Sequence, residues 1–303
     1  MVLVKTAPLT SFNFLCYIYL MKKKIIFIII IVLLAGTIFY KRMAFKAWFL
    51  NLRNEPVPEA VSYQNFINQN VNQKPLTNQN ININLNTNQK INSNNNINNN
   101  QITNNQLPII DNSLPETFNL RVPFTSQAPH YQWKEMPYKE GCEEAALLIV
   151  HYYYQGKDFT PDIADEEIVK MVNWQIDNWE GHYDLTATQT ALLVHDYFGY
   201  QNVETILNPT IEMIKEEVYQ GHPVILPTAG RMLNNPYFTP PGPLYHMLVI
   251  KGWTENNFIT NDPGLFKKGR DYQYLYQIVM NAIHDWNGGD VNNGQKIMLI
   301  VKN

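Results

Sequence analysis

Residues 141–156 read GCEEAALLIVHYYYQG. A glycine at each end and apolar residues at helical spacing between them predict a helix from Cys142 to near Gln155. Cys142 then stands at the helix start, where unpaired backbone N–H groups and the positive end of the helix dipole favour a thiolate. Glu143 and Glu144 add negative charge beside it, so an imidazolium partner has to supply most of the activation. The 303 residues hold one other cysteine, Cys16. That excludes a disulfide framework and a four-cysteine zinc site. The plainer use of a lone cysteine is as a small buried apolar side chain.

A base for such a thiol lies downstream. His246 opens the strand-like run HMLVIKGW, and after the polar turn Thr254-Glu255-Asn256-Asn257 the chain returns as FITNDPG. In a hairpin about that turn, residues whose numbers sum to about 509 face each other, which sets His246 beside Asp262 or Pro263. The Asp262 carboxylate would accept from one imidazole nitrogen and turn the other toward the thiol, as in triads on unrelated folds. Asn261 takes the opposite face of a regular strand, and a bulge exchanges the two. Gln127, fifteen residues before Cys142, carries two amide donors that can join the Cys142 N–H around an oxygen becoming negative.

An extended piece is predicted near 120–125, further helices near 165–174, 186–198 and 210–220, and strands near 223–227, 245–253, 258–261 and 296–302. Helices first and strands later indicate an α+β fold. His195-Asp196 and His284-Asp285 each look like half of a metal-dependent phosphohydrolase signature, but two further ligands at helical spacing are missing. HExxH, a glycine-rich phosphate loop and a calcium loop are absent as well, so neither a metal nor an organic cofactor is expected.

The run Ile25 to Tyr40, IIFIIIIVLLAGTIFY, lies between Lys22-Lys23-Lys24 and Lys41-Arg42. Its sixteen residues fall short of the ~20 that span a bilayer, but lysine stems can snorkel and residues 43–48 add apolar length, giving an anchor over 21–48. The LLAG at 33–36 lacks a lipoprotein cysteine, and the bulky residues 37–40 offer no small-x-small cleavage site, so a retained single-pass anchor is expected. The clustered lysines at 22–24 favour an inside N-terminus, with the bulk of the chain outside the cytoplasmic membrane. Met21 followed by three lysines would make an ordinary start for an export signal. Residues 1–20 therefore read either as an upstream extension or as part of the chain.

Residues 49–117, dominated by Asn and Gln from about 63 to 106 as in NQNININLNTNQKINSNNNINNN, cannot bury a continuous core and read as a disordered spacer. The folded domain is expected over 118–303. Up to residue 117 the chain has 10 Lys+Arg and 4 Asp+Glu, a balance of +6; the remainder has 13 and 22, a balance of −9. An acidic globular half repels phosphate backbones, so nucleic acid is not an expected partner.

The ordered set Gln127, Cys142 in GCEEAALL, His246 in YHMLVIKGW and Asp262 in TNDPG resembles the C-thirty-nine-like peptidase domain, a relative of the bacteriocin-processing cysteine peptidases of the papain-like group. VPFTSQAP, IEMIKEEVYQGHPVIL, NPYFTPPGPLYHMLVI and NAIHDWNGG add to the likeness, which covers 118–303 and leaves anchor and spacer outside. The resemblance implies a papain-like α+β fold, with the helix carrying the nucleophile packed on an antiparallel sheet. It implies Cys142 as nucleophile, His246 as base, Asp262 as its orienting group and Gln127 in the oxyanion hole. Many members carry glycine after the nucleophile where this chain has Glu143, which bears on pocket shape and substrate. The expected function is a membrane-anchored, extracytoplasmic bacterial cysteine peptidase that acts on a peptide or peptidoglycan-type substrate through a thioester. Two other readings stay open: a catalytically inactive, tethered binding module of the same fold, and a cell-wall amidase or acyl transferase.

Overall fold

The computed structural model describes residues 11–51, 54–72, 114–179, 181 and 184–303. They fall into two units, Met1–Asn54 with Asn235–Phe238, and Glu55–Asn234 with Thr239–Asn303. The first holds helix α1, Ser11–Asn51. Within it, Met21–Arg42 is long and apolar enough to cross a membrane or to act as a signal sequence. Its side chains from Ile25 to Leu34 are exposed all round the helix, unlike the one-sided stripe of a helix that packs on a water-soluble core.

The second unit is built on an antiparallel sheet of β1 (Phe118–Asn119), β2 (Asn202–Leu207), β3 (Val224–Ala229), β4 (Tyr245–Trp253), β5 (Asn257–Asn261), β6 (Tyr272–Leu275) and β7 (Ile297–Lys302). The strands run in the order β2-β7-β3-β4-β5-β6, and β1 pairs with β4. Helices α2 (Tyr63–Asn72), α3 (Cys142–Gln155), α4 (Pro161–Trp179), α5 (Ala187–Leu193), α6 (Ile211–Tyr219) and α7 (Tyr276–Ala282) complete it. All nine residues of β4 are buried, as the unbroken run YHMLVIKGW requires of a strand covered on both faces. The architecture is the α+β, papain-like arrangement expected.

Helix α3 packs against β4 and is buried from Cys142 through Val150 and again at Tyr153 and Tyr154. Burying each large aliphatic side chain contributes about 1.5–3 kcal/mol, so Leu147, Leu148 and Ile149 alone fix this helix in the middle of the unit. Gly156 ends it in a left-handed turn, with its N–H and that of Lys157 returning to the last carbonyls.

The β4–β5 hairpin decides which side chain meets His246. Next to the turn the pairs are Trp253 with Phe258 and Gly252 with Ile259; beyond a bulge between Ile250 and Gly252 they become Ile250 with Thr260 and Val249 with Asn261. The sums are therefore 511 and then 510. Continued to His246, the first register would set Asn261 on the imidazole's face of the sheet; the second sets Asp262 there. Lys251, at the bulge, is buried and paired with Asp271 at 2.5 Å. Gly252 is required because a Cβ would press on the Phe118 carbonyl oxygen where β1 pairs with β4.

Four elements escape the sequence reading: α2, the edge strand β2, none of whose positions is buried, and the short β6 and α7. Helix α5 is followed by a π turn, Val194–Phe198, so the helix expected over 186–198 is two pieces. The expected spacer also needs correction at its start. Val61 bridges Leu120, Asn119 Nδ2 donates to the Pro58 carbonyl, and Tyr63 packs against Tyr153 and Tyr154. The chain thus joins the sheet unit at Glu55, whose N–H donates to Gln273 Oε1 at 2.9 Å. Val61, Tyr63 and Phe66 have partners on the domain, which composition alone does not reveal. The rest of the expected spacer, 73–113, and most of residues 1–20 lie outside the described residues or their side chains.

Candidate active site

Cys142 is the first residue of α3, His246 the second of β4, and Asp262 follows β5 directly. His246 Nε2 and Asp262 Oδ1 are 2.7 Å apart, and both side chains are almost fully buried. With Nε2–H given to the carboxylate, Nδ1 is the ring nitrogen left to exchange a proton. Asp262 Oδ1 also accepts the Gly264 N–H at 2.9 Å, and Oδ2 accepts the Tyr274 hydroxyl at 2.6 Å. Three donors thus hold one carboxylate. Beside His246 stands Gly230, where a Cβ would lie 3.1 Å from His246 Cβ and 2.7 Å from the Pro243 ring.

The Cys142 sulfur lies against β4 at the residue after the histidine, within reach of the Met247 N–H. Its thiol donates to Glu143 Oε2 at 2.9 Å. Glu143 Oε1 accepts the Leu185 N–H at 3.0 Å. Burial pushes the thiol's pKa well above its usual value, and the neighbouring Glu143 charge and hydrogen bond act in the same direction; the Met247 N–H opposes them. Burial first, then the Glu144 charge, pushes the Glu143 carboxyl up to about 8. Glu144 itself accepts from Gln175 Nε2 of α4 at 2.6 Å.

Gln127 lies between the two halves of the site. Its N–H donates to the carbonyl of Pro263, next to Asp262, at 2.9 Å. Its side-chain Nε2 donates to the Tyr138 and Lys139 carbonyls at 3.0 and 3.3 Å, in the loop that leads to Cys142. Both amide hydrogens are therefore in use in this state, and an oxyanion could take one only by exchange. The helix start leaves the first N–H groups of α3 without intrahelical partners.

The four residues singled out by sequence thus gather at one end of α3 and β4. His246 and Asp262 are directly bonded, Cys142 meets the backbone next to His246, and Gln127 braces the loops on either side. Tyr274, Gly264, Gly230 and the Glu143 contact were missed. The alternation in YQYLY was the one signal that could have found Tyr274. Of the weaker candidates, His195 pairs with its neighbour Asp196 on the surface at 2.7 Å, and His284 Nδ1 bonds the Gly294 carbonyl at 2.8 Å. Asp285 Oδ1 accepts the Ala187 and Trp286 N–H groups at 2.8 and 2.9 Å. Among the described residues no group of three or more His, Cys, Asp or Glu side chains is arranged to hold a metal ion.

The sequence model of the Peptidase_C39 like family matches residues 119–288. Among solved structures, a Bacillus anthracis protein assigned to the C39-like peptidases matches at 18 % identity and a TM-score of 0.42, covering 62 % of this chain and 99 % of its own. No curated protein matches the chain.

Proposed function

The chain belongs to the Peptidase_C39 like family, and from that premise we propose that it is a cysteine peptidase in which Cys142, His246, Asp262 and Gln127 carry the reaction. The observation that bears most weight is the buried His246–Asp262 pair at 2.7 Å on the strand against which the nucleophile's helix starts. Cys142 attacks the amide carbonyl carbon and forms a thioester. His246, held by Asp262, protonates the leaving amine and then takes a proton from the water that releases the acyl group. The Cys142 N–H supplies one oxyanion donor; Gln127 supplies another once its amide gives up a loop carbonyl. The apolar helix Met21–Arg42 supports a membrane-anchored protein whose catalytic domain, over 118–303, lies outside the cytoplasmic membrane. On this reading the substrate is a peptide or the peptide part of a cell-wall polymer.

A second reading has its own support: the thiol is buried, bonded to a carboxyl group and raised in pKa, and the Gln127 amide is engaged. That arrangement suits a binding module that has lost catalysis. Turnover of a peptide mixture by the detergent-solubilised full chain decides between them. The peptidase reading expects cleavage that Cys142→Ala and His246→Ala each abolish. Full activity in His246→Ala would refute it, and so would absence of turnover with Cys142 alkylation indifferent to His246.

A further inference from the structure

We infer that Glu143 is a further catalytic residue of this site: it keeps its proton and donates it as a hydrogen bond to the Cys142 thiolate while His246 handles the proton that moves. The inference rests on the peptidase reading above. Sequence reading treats Glu143 as a charge that works against the thiolate, yet the structure gives its two oxygens separate tasks. Oε1 is fixed by the Leu185 N–H at 3.0 Å, and Oε2 lies 2.9 Å from the nucleophilic sulfur. Both Cys142 and Glu143 are nearly closed to water, at 5 % and 1 % exposure.

The groups that face Glu143 decide where its proton stays. From α3 they are Cys142 and Glu144, from the stretch before α5 Asp184, and from β4 Tyr245, with Asp285 beyond Tyr245. Each is neutral or negative, so an ionised Glu143 would sit among like charges in a dry environment. Its carboxyl is pushed up accordingly. The contact is the same whether the hydrogen sits on sulfur or on oxygen. With it on oxygen, the sulfur's negative charge is met by the Glu143 O–H at 2.9 Å.

Proton accounting closes on this assignment. The active form holds a Cys142 thiolate, a neutral Glu143 acid and a His246 imidazolium. The sulfur bonds to the carbonyl carbon, the carbon–nitrogen bond breaks, and the imidazolium proton leaves on the amine. Water then bonds to the acyl carbon, gives one proton to His246, and the carbon–sulfur bond breaks to restore the thiolate. Glu143 remains protonated throughout, releasing and regaining only its hydrogen bond to sulfur.

The test uses the full chain in detergent, with Glu143→Gln and Glu143→Ala, and two readouts: kcat/KM against pH, and the alkylation rate of Cys142 against pH, followed on the Cys142 peptide so that Cys16 does not interfere. A glutamine keeps the Leu185 acceptor and offers an N–H donor to sulfur, as the neutral acid does. Expected near neutral pH is Glu143→Gln within a few fold of wild type, and Glu143→Ala down roughly 10–100-fold, the size of a lost donor to a charged atom. The wild-type fall in kcat/KM that begins near pH 8 should move to higher pH in Glu143→Gln. An inactive but folded Glu143→Gln, or an alkaline limb that does not move, would overturn the inference. Should Glu143→Ala fail to fold, the Gln variant's limb decides alone. Failure of the peptidase reading looks different: no turnover in any form, and alkylation that ignores His246.

Discussion

Replacing Tyr274 by Phe removes one hydroxyl and nothing else from the site. That hydroxyl donates to Asp262 Oδ2 at 2.6 Å, while Oδ1 keeps His246 and Gly264. Asp262 is closed to solvent, so water does not take the lost donor's place. A buried hydrogen bond to a carboxylate contributes about 1.5–3 kcal/mol; taking about 2 kcal/mol, a domain of this size should melt roughly 4–8 °C lower. The kinetic effect has a separate origin. With Oδ2 unheld, the carboxylate plane can turn about its Oδ1 contacts and carry the imidazole with it, and about 1.4 kcal/mol of lost alignment is a tenfold fall in kcat. KM should stay within about twofold, because Tyr274 acts from behind Asp262 rather than from the substrate side. Thermal melting and steady-state kinetics on the full chain measure both, and the alkylation rate of Cys142 gives a substrate-free check. A lower melting temperature with unchanged kcat and alkylation would refute the positioning role, leaving Tyr274 a purely structural partner. No change in either would mean that the hydroxyl contributes nothing to Asp262.

Gly230→Ala should cost activity out of proportion to stability, since its Cβ would press on His246 Cβ at 3.1 Å and on Pro243 at 2.7 Å; kcat down tenfold or more with a melting shift of a few degrees is expected, and an unaltered kcat would contradict it. Glu143 also sets a pH dependence of stability. Unfolded, it releases its proton near 4.5 and, folded, not until about 8, so between those values the folded chain holds the extra proton and stability falls as pH rises. Denaturant midpoints of wild type and Glu143→Gln measured across that window should diverge, with the variant's slope flatter; parallel curves would remove Glu143 from the account. A protease site inserted between residues 73 and 113 and then cut should leave 114–303 bound to the N-terminal piece, because Glu55, Val61 and Tyr63 already dock on the domain. Release into the supernatant on cleavage would show that this docking is too weak to hold.

What was legible in the sequence, and what was not, follows from the range over which each feature is decided. Helix α3 is local: two glycines, an apolar run and no β-branched interruption before Ile149 are enough to set both its ends. Strand β4 is nearly local, because nine consecutive buried positions leave a run that no amphipathic helix would carry. The His246–Asp262 pair is less so. A regular hairpin of the observed turn register would have put Asn261 on the histidine's face, and the bulge at Lys251 moves Asp262 there instead. Nothing in HMLVIKGWTENNFITNDPG announces that bulge. It is stabilised from outside the hairpin, by Asp271 reaching Lys251 and by β1 crossing at Gly252. The surroundings of Glu143 were hidden for the same reason: a carboxylate beside a nucleophile reads as an adverse charge until the Leu185 N–H and Asp184 are known to face it. In each case the residue type was visible, while its effect was set by partners 20 or more positions away. The docked stretch 55–66 is the extreme form. Its contacts with Asn119, Tyr153 and Gln273 are all long-range, and its composition shades directly into the Asn-rich tract that follows.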